Sequence, residues 1–280
     1  MVEDDRRVSA PAPHQVAERR DGSTAVRGVE LTWTTEGDGP LTVVAHGMGN
    51  DRWSLENAGV LDWSPLVTAG QRVVRYDARG HGRSTGRPVP DDYRWPDLAE
   101  DLLSLLDVLS PGRPVRAVGS SMGTATVLFA ALKAPERFER VVLTCPPTAW
   151  STRAQQTALY RQGAEMVEQL GAEAFERAAA AQPPQGLFRD LPDFPPSLRV
   201  LDALLPSVLR GAADSDLPDD ATLRTLRLPV LVLSWYDDPG HPVETGQRLA
   251  DVIEGAELGT AATVEELHSW GARTATFLGN

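Results

Sequence analysis

From residue 41 onward the chain alternates short β-branched apolar runs with longer stretches in which apolar residues recur at helical spacing. The runs at 41–45, 72–76, 115–118, 141–144 and 229–233 carry few polar interruptions, the pattern of strands covered on both faces of a parallel sheet. Between them, residues 96–109 place Leu98, Leu102, Leu105, Leu106 and Leu109 on one face, behind Pro96 and ahead of Pro111-Gly112. That spacing and punctuation predict an amphipathic crossover helix. Strand and helix in alternation predict an α/β fold with a doubly wound, mostly parallel sheet, whose strand ends carry the chemistry.

The two departures from this rhythm define the domain organisation. Residues 26–34 alternate apolar and polar and run into Gly37-Asp38-Gly39-Pro40, which predicts an antiparallel edge hairpin entering the sheet. Residues 1–25, with Pro11, Pro13 and a dense mixture of Glu, Asp and Arg, have little to bury and read as a loose tail. Between residues 146 and 228 the strand signal disappears, and Ala, Glu, Gln and Leu dominate, interrupted by Pro183-Pro184, Pro192 and Pro195-Pro196. A helical insertion between two strands is most simply a cap over the strand ends. The expected organisation is thus a tail over 1–25, a core over 26–145 and 229–280, and a helical cap over 146–228.

Charge and composition narrow the function classes. Twenty-seven basic against 39 acidic residues give a net charge of -12, with the basic residues scattered, which disfavours nucleic acid as a partner. The single lysine, Lys133, precedes Ala134-Pro135, and the single cysteine, Cys145, excludes an intramolecular disulfide or a multi-cysteine metal site. No apolar run approaches membrane-spanning length and the N-terminus has no secretory pattern, so a cytoplasmic protein without a membrane partner is expected.

Two G-x-S-x-G matches occur, and their contexts differ. Gly82-Arg83-Ser84-Thr85-Gly86 is followed by Pro88 and Pro90, which forbid an immediate helix and make Ser84 a structural loop serine. Gly119-Ser120-Ser121-Met122-Gly123 follows an apolar strand and leads into the unbroken apolar stretch 124–134, which ends at Pro135. This is the strand-turn-helix setting that exposes a serine hydroxyl at a strand end, so Ser121 is the candidate nucleophile.

A serine needs a base that is itself oriented by an acid. Of the five histidines, His14 lies in the tail, His46 and His81 precede Ser121 in glycine-rich turns, and His241 and His268 follow it. Asp237-Asp238 close the strand at 229–233, with Asp238 taken as the acid and Asp237 as its alternative. His268 comes 30 residues after Asp238, with room for a helix over 243–253 and a strand over 257–261, and is expected to be the base. His241 is the rival; lying on the same turn as Asp238, its ring is expected to lack the freedom to bridge acid and serine. For the oxyanion, the candidate donors are the backbone N–H of Met122 and that of Met48, in His46-Gly47-Met48-Gly49 directly after the first parallel strand.

Together these residues resemble the α/β-hydrolase fold superfamily from about residue 26 to the C-terminus. The resemblance rests on the His46–Gly49 loop, the segment from Asp77 to Ser84, the elbow around Ser121, the Asp238-Pro239 turn and His268. It implies that the Asp77 segment is a structural loop near the site and that the inner face of the cap chooses the substrate. It also implies a serine hydrolase for a small to medium ester, lactone or thioester, working through an acyl-enzyme and requiring no metal or organic cofactor. A lyase, cyclase or acyl transferase using the same residues stays open. Ser234-Trp235-Tyr236 stands where relatives commonly carry a small residue, and Thr263–Leu267 replaces the common glycine approach to the histidine. Trp150, Tyr160, Phe175, Phe188 and Phe194 could line an apolar pocket or form the cap's own core; Trp150 and Trp270 are the substrate-contact candidates.

Overall fold

A computed structural model describes residues 18–181, 186–189 and 191–279. In chain order the elements are β1 (Arg19–Val26), β2 (Val29–Glu36), β3 (Leu41–Ala45), α1 (Ser54–Asn57), α2 (Ser64–Thr68), β4 (Arg72–Tyr76), α3 (Trp95–Leu109), β5 (Val115–Ser120), α4 (Met122–Lys133) and β6 (Phe138–Thr144). They continue with α5 (Arg153–Leu170), α6 (Ala172–Ala180), α7 (Leu205–Ala213), α8 (Asp220–Leu223), β7 (Val230–Trp235), α9 (Val243–Val252), β8 (Glu257–Ala261), α10 (Val264–His268) and α11 (Trp270–Gly279). The eight strands form one sheet in the order β1-β2-β4-β3-β5-β6-β7-β8. β1 and β2 pair antiparallel and β2 meets β4 antiparallel; the remaining pairs are parallel.

The β-branched runs are strands because both faces of the sheet are covered. Side chains of one strand point alternately up and down, so Val43 joins a core with Leu98, Leu102 and Leu105 of α3, Leu128 of α4 and Leu249 of α9. Its neighbour Val44 joins a second core, with Leu66 of α2 and Trp270 and Leu278 of α11. This two-sided covering is the doubly wound arrangement.

The sheet begins earlier than the hydrophobic pattern predicts. Residues 1–17 of the expected tail lie outside the described residues, but Arg19–Val26 is a strand, paired along its length with β2. Arg27 and Gly28, both at positive φ (41° and 79°), make the two-residue turn that hairpins favour. β1 is an edge strand with little to bury, so it carries no apolar alternation. Side chains hold it instead: Arg19 to Glu36 at 2.9 Å and the Trp33 indole N–H to Thr24 Oγ1 at 3.0 Å.

Between β6 and β7 the described residues contain helices and no sheet strand, and this segment has a core of its own, built from Ala164 and Val167 of α5 with Leu205, Val208 and Leu209 of α7. Pro183-Pro184 lie outside the described residues. The segment is fastened to the sheet domain by Arg153, buried with its guanidinium 4.3 Å over the Trp95 ring and its Nε donating to the Ser215 carbonyl at 2.8 Å.

Candidate active site

The elbow after β5 is enforced by close backbone approach. Ser121 has φ 54° and ψ -113°, a conformation that costs an L-residue about 1–3 kcal/mol and persists only when its surroundings insist on it. Here they do. A Cβ on Gly119 would stand 2.2 Å from the Gly123 carbonyl oxygen, and one on Gly123 would stand 2.1 Å from that of Ala45. The Ser121 N–H donates to Thr144 O at 3.0 Å, and the Thr124 hydroxyl lies 2.7 Å from the same carbonyl. β3, β5, β6 and α4 thus meet at the serine. Ser84, by contrast, is buried, donates to Asp77 O at 2.7 Å and accepts the Thr32 N–H at 2.8 Å, a loop fastener as the sequence suggests.

Facing Ser121 is the turn that closes β7. His241 Nε2 lies 2.7 Å from Ser121 Oγ, and His241 Nδ1 lies 2.6 Å from Asp238 Oδ2. An ionised carboxylate only accepts, so Nδ1 carries the proton and Nε2 presents its lone pair to the serine hydroxyl. Asp238 also accepts the Trp235 indole N–H on Oδ2 and the Gly240 N–H on Oδ1, each at 2.8 Å. Burial alone would raise Asp238, but the charge and hydrogen bond of His241, with the bonds from Trp235 and Gly240, outweigh it and bring it to about 2. Asp237, exposed and at φ 62°, supplies the positive-φ residue of the turn rather than the carboxylate facing the imidazole.

The expected base, His268, is corrected by this geometry. It ends α10, is exposed, and its Nε2 hydrogen-bonds the Gly59 carbonyl at 2.8 Å. The objection to His241 was its place on the acid's own turn, and that place is what aligns it. The His241 N–H donates to Asp238 O at 3.1 Å, so the turn folds the ring back over the carboxylate without any search of conformations. One signal in the chain did argue against His268: Thr263-Val-Glu-Glu266 is a helix-start pattern. Thr263 caps α10 by accepting the Glu266 N–H at 3.2 Å, and Glu266 reaches back to the Ala262 N–H at 2.7 Å, which puts the histidine on a helix instead of a loop.

The loop after β3 closes the other side. A Cβ on Gly47 would lie 3.3 Å from Ser121 Cβ, so the backbone passes directly beside the serine. His46 pins this loop: its Nδ1 lies 2.8 Å from Gly47 O, and its Nε2 accepts the Ala78 N–H at 2.9 Å. Met48 lines the cavity next to Ser121. Met122 is the first residue of α4, so no carbonyl of that helix can take its N–H.

Residues 40–182 match the model of the alpha/beta hydrolase fold family. The chain belongs to that family. It is 29% identical over 266 residues to non-heme chloroperoxidase CPO-A1 of Kitasatospora aureofaciens, covering 82% of this chain and 86% of the relative. A hydrolase from Pseudomonas aeruginosa PA01 superposes with a TM-score of 0.71 at 27% identity, over 93% of this chain and 98% of that one. The enol-lactonase of Burkholderia xenovorans LB400 superposes with a TM-score of 0.66 at 25% identity, over 92% and 100%.

In this alpha/beta hydrolase a cavity of about 420 Å³ opens onto Ser121. The inserted segment supplies one wall through Phe175 and Ala179 of α6 and through Phe194 and Leu198; Leu55 and Trp235 come from the sheet domain. The two tryptophans expected at the substrate lie elsewhere. The Trp150 indole N–H donates to Pro218 O at 3.0 Å and its ring packs under Arg248, 4.4 Å away, at the base of the insertion. Trp270 is buried behind the wall, with its ring stacked on Trp235 at 5.9 Å. Trp235 itself is the aromatic residue in contact with both cavity and acid, and the bulky Ser234-Trp235-Tyr236 ending of β7 was the sequence signal for it. Phe188 is fully buried, packed between Phe194 and Trp235, and backs the wall.

Proposed function

We propose that this enzyme is a serine hydrolase that cleaves a small to medium carboxylic ester, lactone or thioester through an acyl-enzyme, with Ser121 as nucleophile, His241 as base and Asp238 as the acid that orients it. The observation that carries this reading is the pair of contacts on one imidazole, 2.7 Å to Ser121 Oγ and 2.6 Å to Asp238 Oδ2. Its hydrolase relatives support the reaction class, and the enol-lactonase supports the bond type.

In this mechanism His241 Nε2 takes the hydroxyl proton as Ser121 Oγ adds to the carbonyl carbon. The backbone N–H groups of Met48 and Met122 receive the oxyanion, reinforced by the N-terminus of α4. Collapse of the tetrahedral intermediate breaks the bond to the leaving oxygen or sulfur, which receives the proton from His241. Water then adds to the acyl-enzyme as His241 takes its proton, and Ser121 leaves with that proton returned. Asp238, held ionised by three hydrogen bonds, stabilises the imidazolium formed in each half-reaction. The cavity suits a small molecule as partner, and among the described residues no helix is long and apolar enough to cross a membrane.

The test is reaction of the protein with a fluorophosphonate probe, peptide mapping of the adduct, and turnover of a p-nitrophenyl ester chain-length series. Labelling at Ser121 with ester turnover is the expected result. Labelling without turnover of any ester would replace hydrolysis with a lyase, cyclase or transferase reaction on the same residues, and no labelling at Ser121 would remove the nucleophile.

A further inference from the structure

The peptide unit that leads into His241 has both of its polar groups engaged. Its N–H donates to Asp238 O at 3.1 Å, and its carbonyl, that of Gly240, accepts the Thr148 N–H at 3.0 Å. A trans peptide is planar, with N–H and C=O pointing in opposite directions, so the two bonds hold it from both sides and fix the Cα from which the His241 ring projects. Gly240 also gives its own N–H to Asp238 Oδ1 at 2.8 Å. One of these holds comes from outside the turn. Thr148 is buried and lies between β6 and α5, where the chain enters the insertion.

Thr148 is held in turn by Arg153, the first residue of α5. Arg153 Nη1 lies 3.2 Å from Thr148 Oγ1 and 3.4 Å from Thr148 O, Nε donates to Ser215 O at 2.8 Å, and Nη2 donates to Ala212 O. Ala212 and Ser215 stand at the end of α7, so one buried guanidinium ties the start of the insertion to its later part. A rigid planar fork with five N–H donors can serve acceptors in several directions at once, which the ammonium of a lysine on its flexible stem cannot match.

We propose that Arg153 is a positioning residue for the proton relay: by tying Thr148 to Ala212 and Ser215, it keeps the Thr148 N–H on the Gly240 carbonyl and so holds the His241 ring in line between Asp238 and Ser121. The proposal rests on the reading of His241 as the base. Arg153 is not among the residues that line the cavity, and it acts only through the backbone of Thr148 and Gly240. The helix it begins, α5, leads directly into α6, whose Phe175 and Ala179 form part of the cavity wall. Wall and relay therefore share one anchor. A displacement of the imidazole by about 1 Å is enough to cost up to about a hundredfold in rate, so a residue remote from the chemistry can govern it through this peptide.

The experiment reads the contact between His241 and Asp238 directly, so that it does not depend on turnover. In protein made with isotope-labelled histidine, the proton on His241 Nδ1 gives a far-downfield NMR resonance, assigned by its disappearance in His241→Ala. Arg153→Lys keeps the buried cation and loses the fork, while Thr148→Val removes only the hydroxyl that receives Nη1. Val208→Ala, in the insertion's own core and outside this chain of bonds, loosens the same segment as a control. The resonance is expected to move upfield or be lost to exchange in Arg153→Lys, to move less but in the same direction in Thr148→Val, and to stay in place in Val208→Ala. With active sites counted by the fluorophosphonate probe, kcat for a p-nitrophenyl ester should fall about tenfold or more in Arg153→Lys while KM stays within about twofold. An unmoved resonance in Arg153→Lys, or an equal shift in Val208→Ala, would overturn the proposal and leave Arg153 a fastener of the insertion only; if Arg153→Lys does not fold, an unmoved resonance in Thr148→Val overturns it. Absence of the resonance from the wild-type spectrum would overturn the proposal together with the relay. A wild-type protein that turns over no ester would overturn the hydrolase reading alone, since the resonance would still report on Arg153.

Discussion

At the level of single residues, the pair of later histidines separates a relay built by chain order from one built by a turn. Removing the imidazole at position 241 takes away both the proton acceptor and the partner of Asp238, so His241→Ala should lower kcat/KM for a p-nitrophenyl ester by about three orders of magnitude or more. His268→Ala removes an exposed ring bonded to Gly59 O, and kcat/KM should stay within about threefold; steady-state kinetics on the two variants decide between them. Trp235 offers a finer test. Its indole N–H is one of the bonds that overcome burial and bring Asp238 to about 2. Trp235→Phe keeps the ring and drops the donor, so Asp238 should move toward ordinary carboxylate values. Carboxyl-carbon NMR should then show Asp238 titrating at higher pH than in the wild type, whereas a purely structural role for Trp235 would leave that titration unshifted. The strand-turn-helix elbow around Ser121 and the carboxylate of Asp238 just after β7 are legible in the chain because each is a local pattern. Which histidine stands beside Ser121 is not legible, because it depends on the φ of Asp237 and the turn that follows, which residue order does not display.

The elements that could be read were those whose burial is lopsided or complete. α3 shows its leucines on one stripe, and β3, β4 and β8 occupy the residues their patterns mark. β1 was hidden because an edge strand is held by backbone pairing and by Arg19–Glu36, with hardly any apolar side chain to announce it. The same contrast sets the cost of substitution. Leu102 on the inner stripe of α3 is 0% exposed, whereas Val108 on the outer side is 57% exposed. Leu102→Ala removes buried methyl groups and leaves a cavity, and should lower unfolding free energy by about 2–5 kcal/mol. Val108→Ala should change it by no more than about 0.5 kcal/mol. Urea titrations followed by circular dichroism measure both; near-equal effects would mean that α3 packs on another face.

The sheet domain and the helical insertion meet at a joint whose chemistry makes the whole molecule sensitive to acid. His81 forms a bridge with Val200 of the insertion, and the next residue donates its N–H to Arg199 O at 2.7 Å. Its ring is fully buried, bonded through Nδ1 to Arg79 O at 2.8 Å and 5.2 Å from the ring of His46. Burial first, and then the neighbouring His46, push His81 down to about 3, while its bond to Arg79 O opposes them weakly. His46 is lowered too, chiefly by burial, against the pull of Asp77 and Asp51. Between about pH 6.5 and 3 the unfolded chain binds a proton at His81 that the folded chain refuses, so stability is complete above the upper limit and falls as pH falls through the window. At the full slope of about 1.4 kcal/mol per pH unit, His81 alone should remove about 2 kcal/mol by pH 5. Asp238 acts in a lower window with the same sign, its contribution present above about pH 4 and lost as pH drops toward 2. The expected result is a fall in urea midpoint between pH 7 and 5, before carboxylates titrate, and a shallower fall in His81→Gln. A midpoint constant from pH 7 to 5 would mean that the joint opens enough to hydrate both imidazoles, and the insertion would then have to be treated as moving on the sheet domain rather than fixed to it.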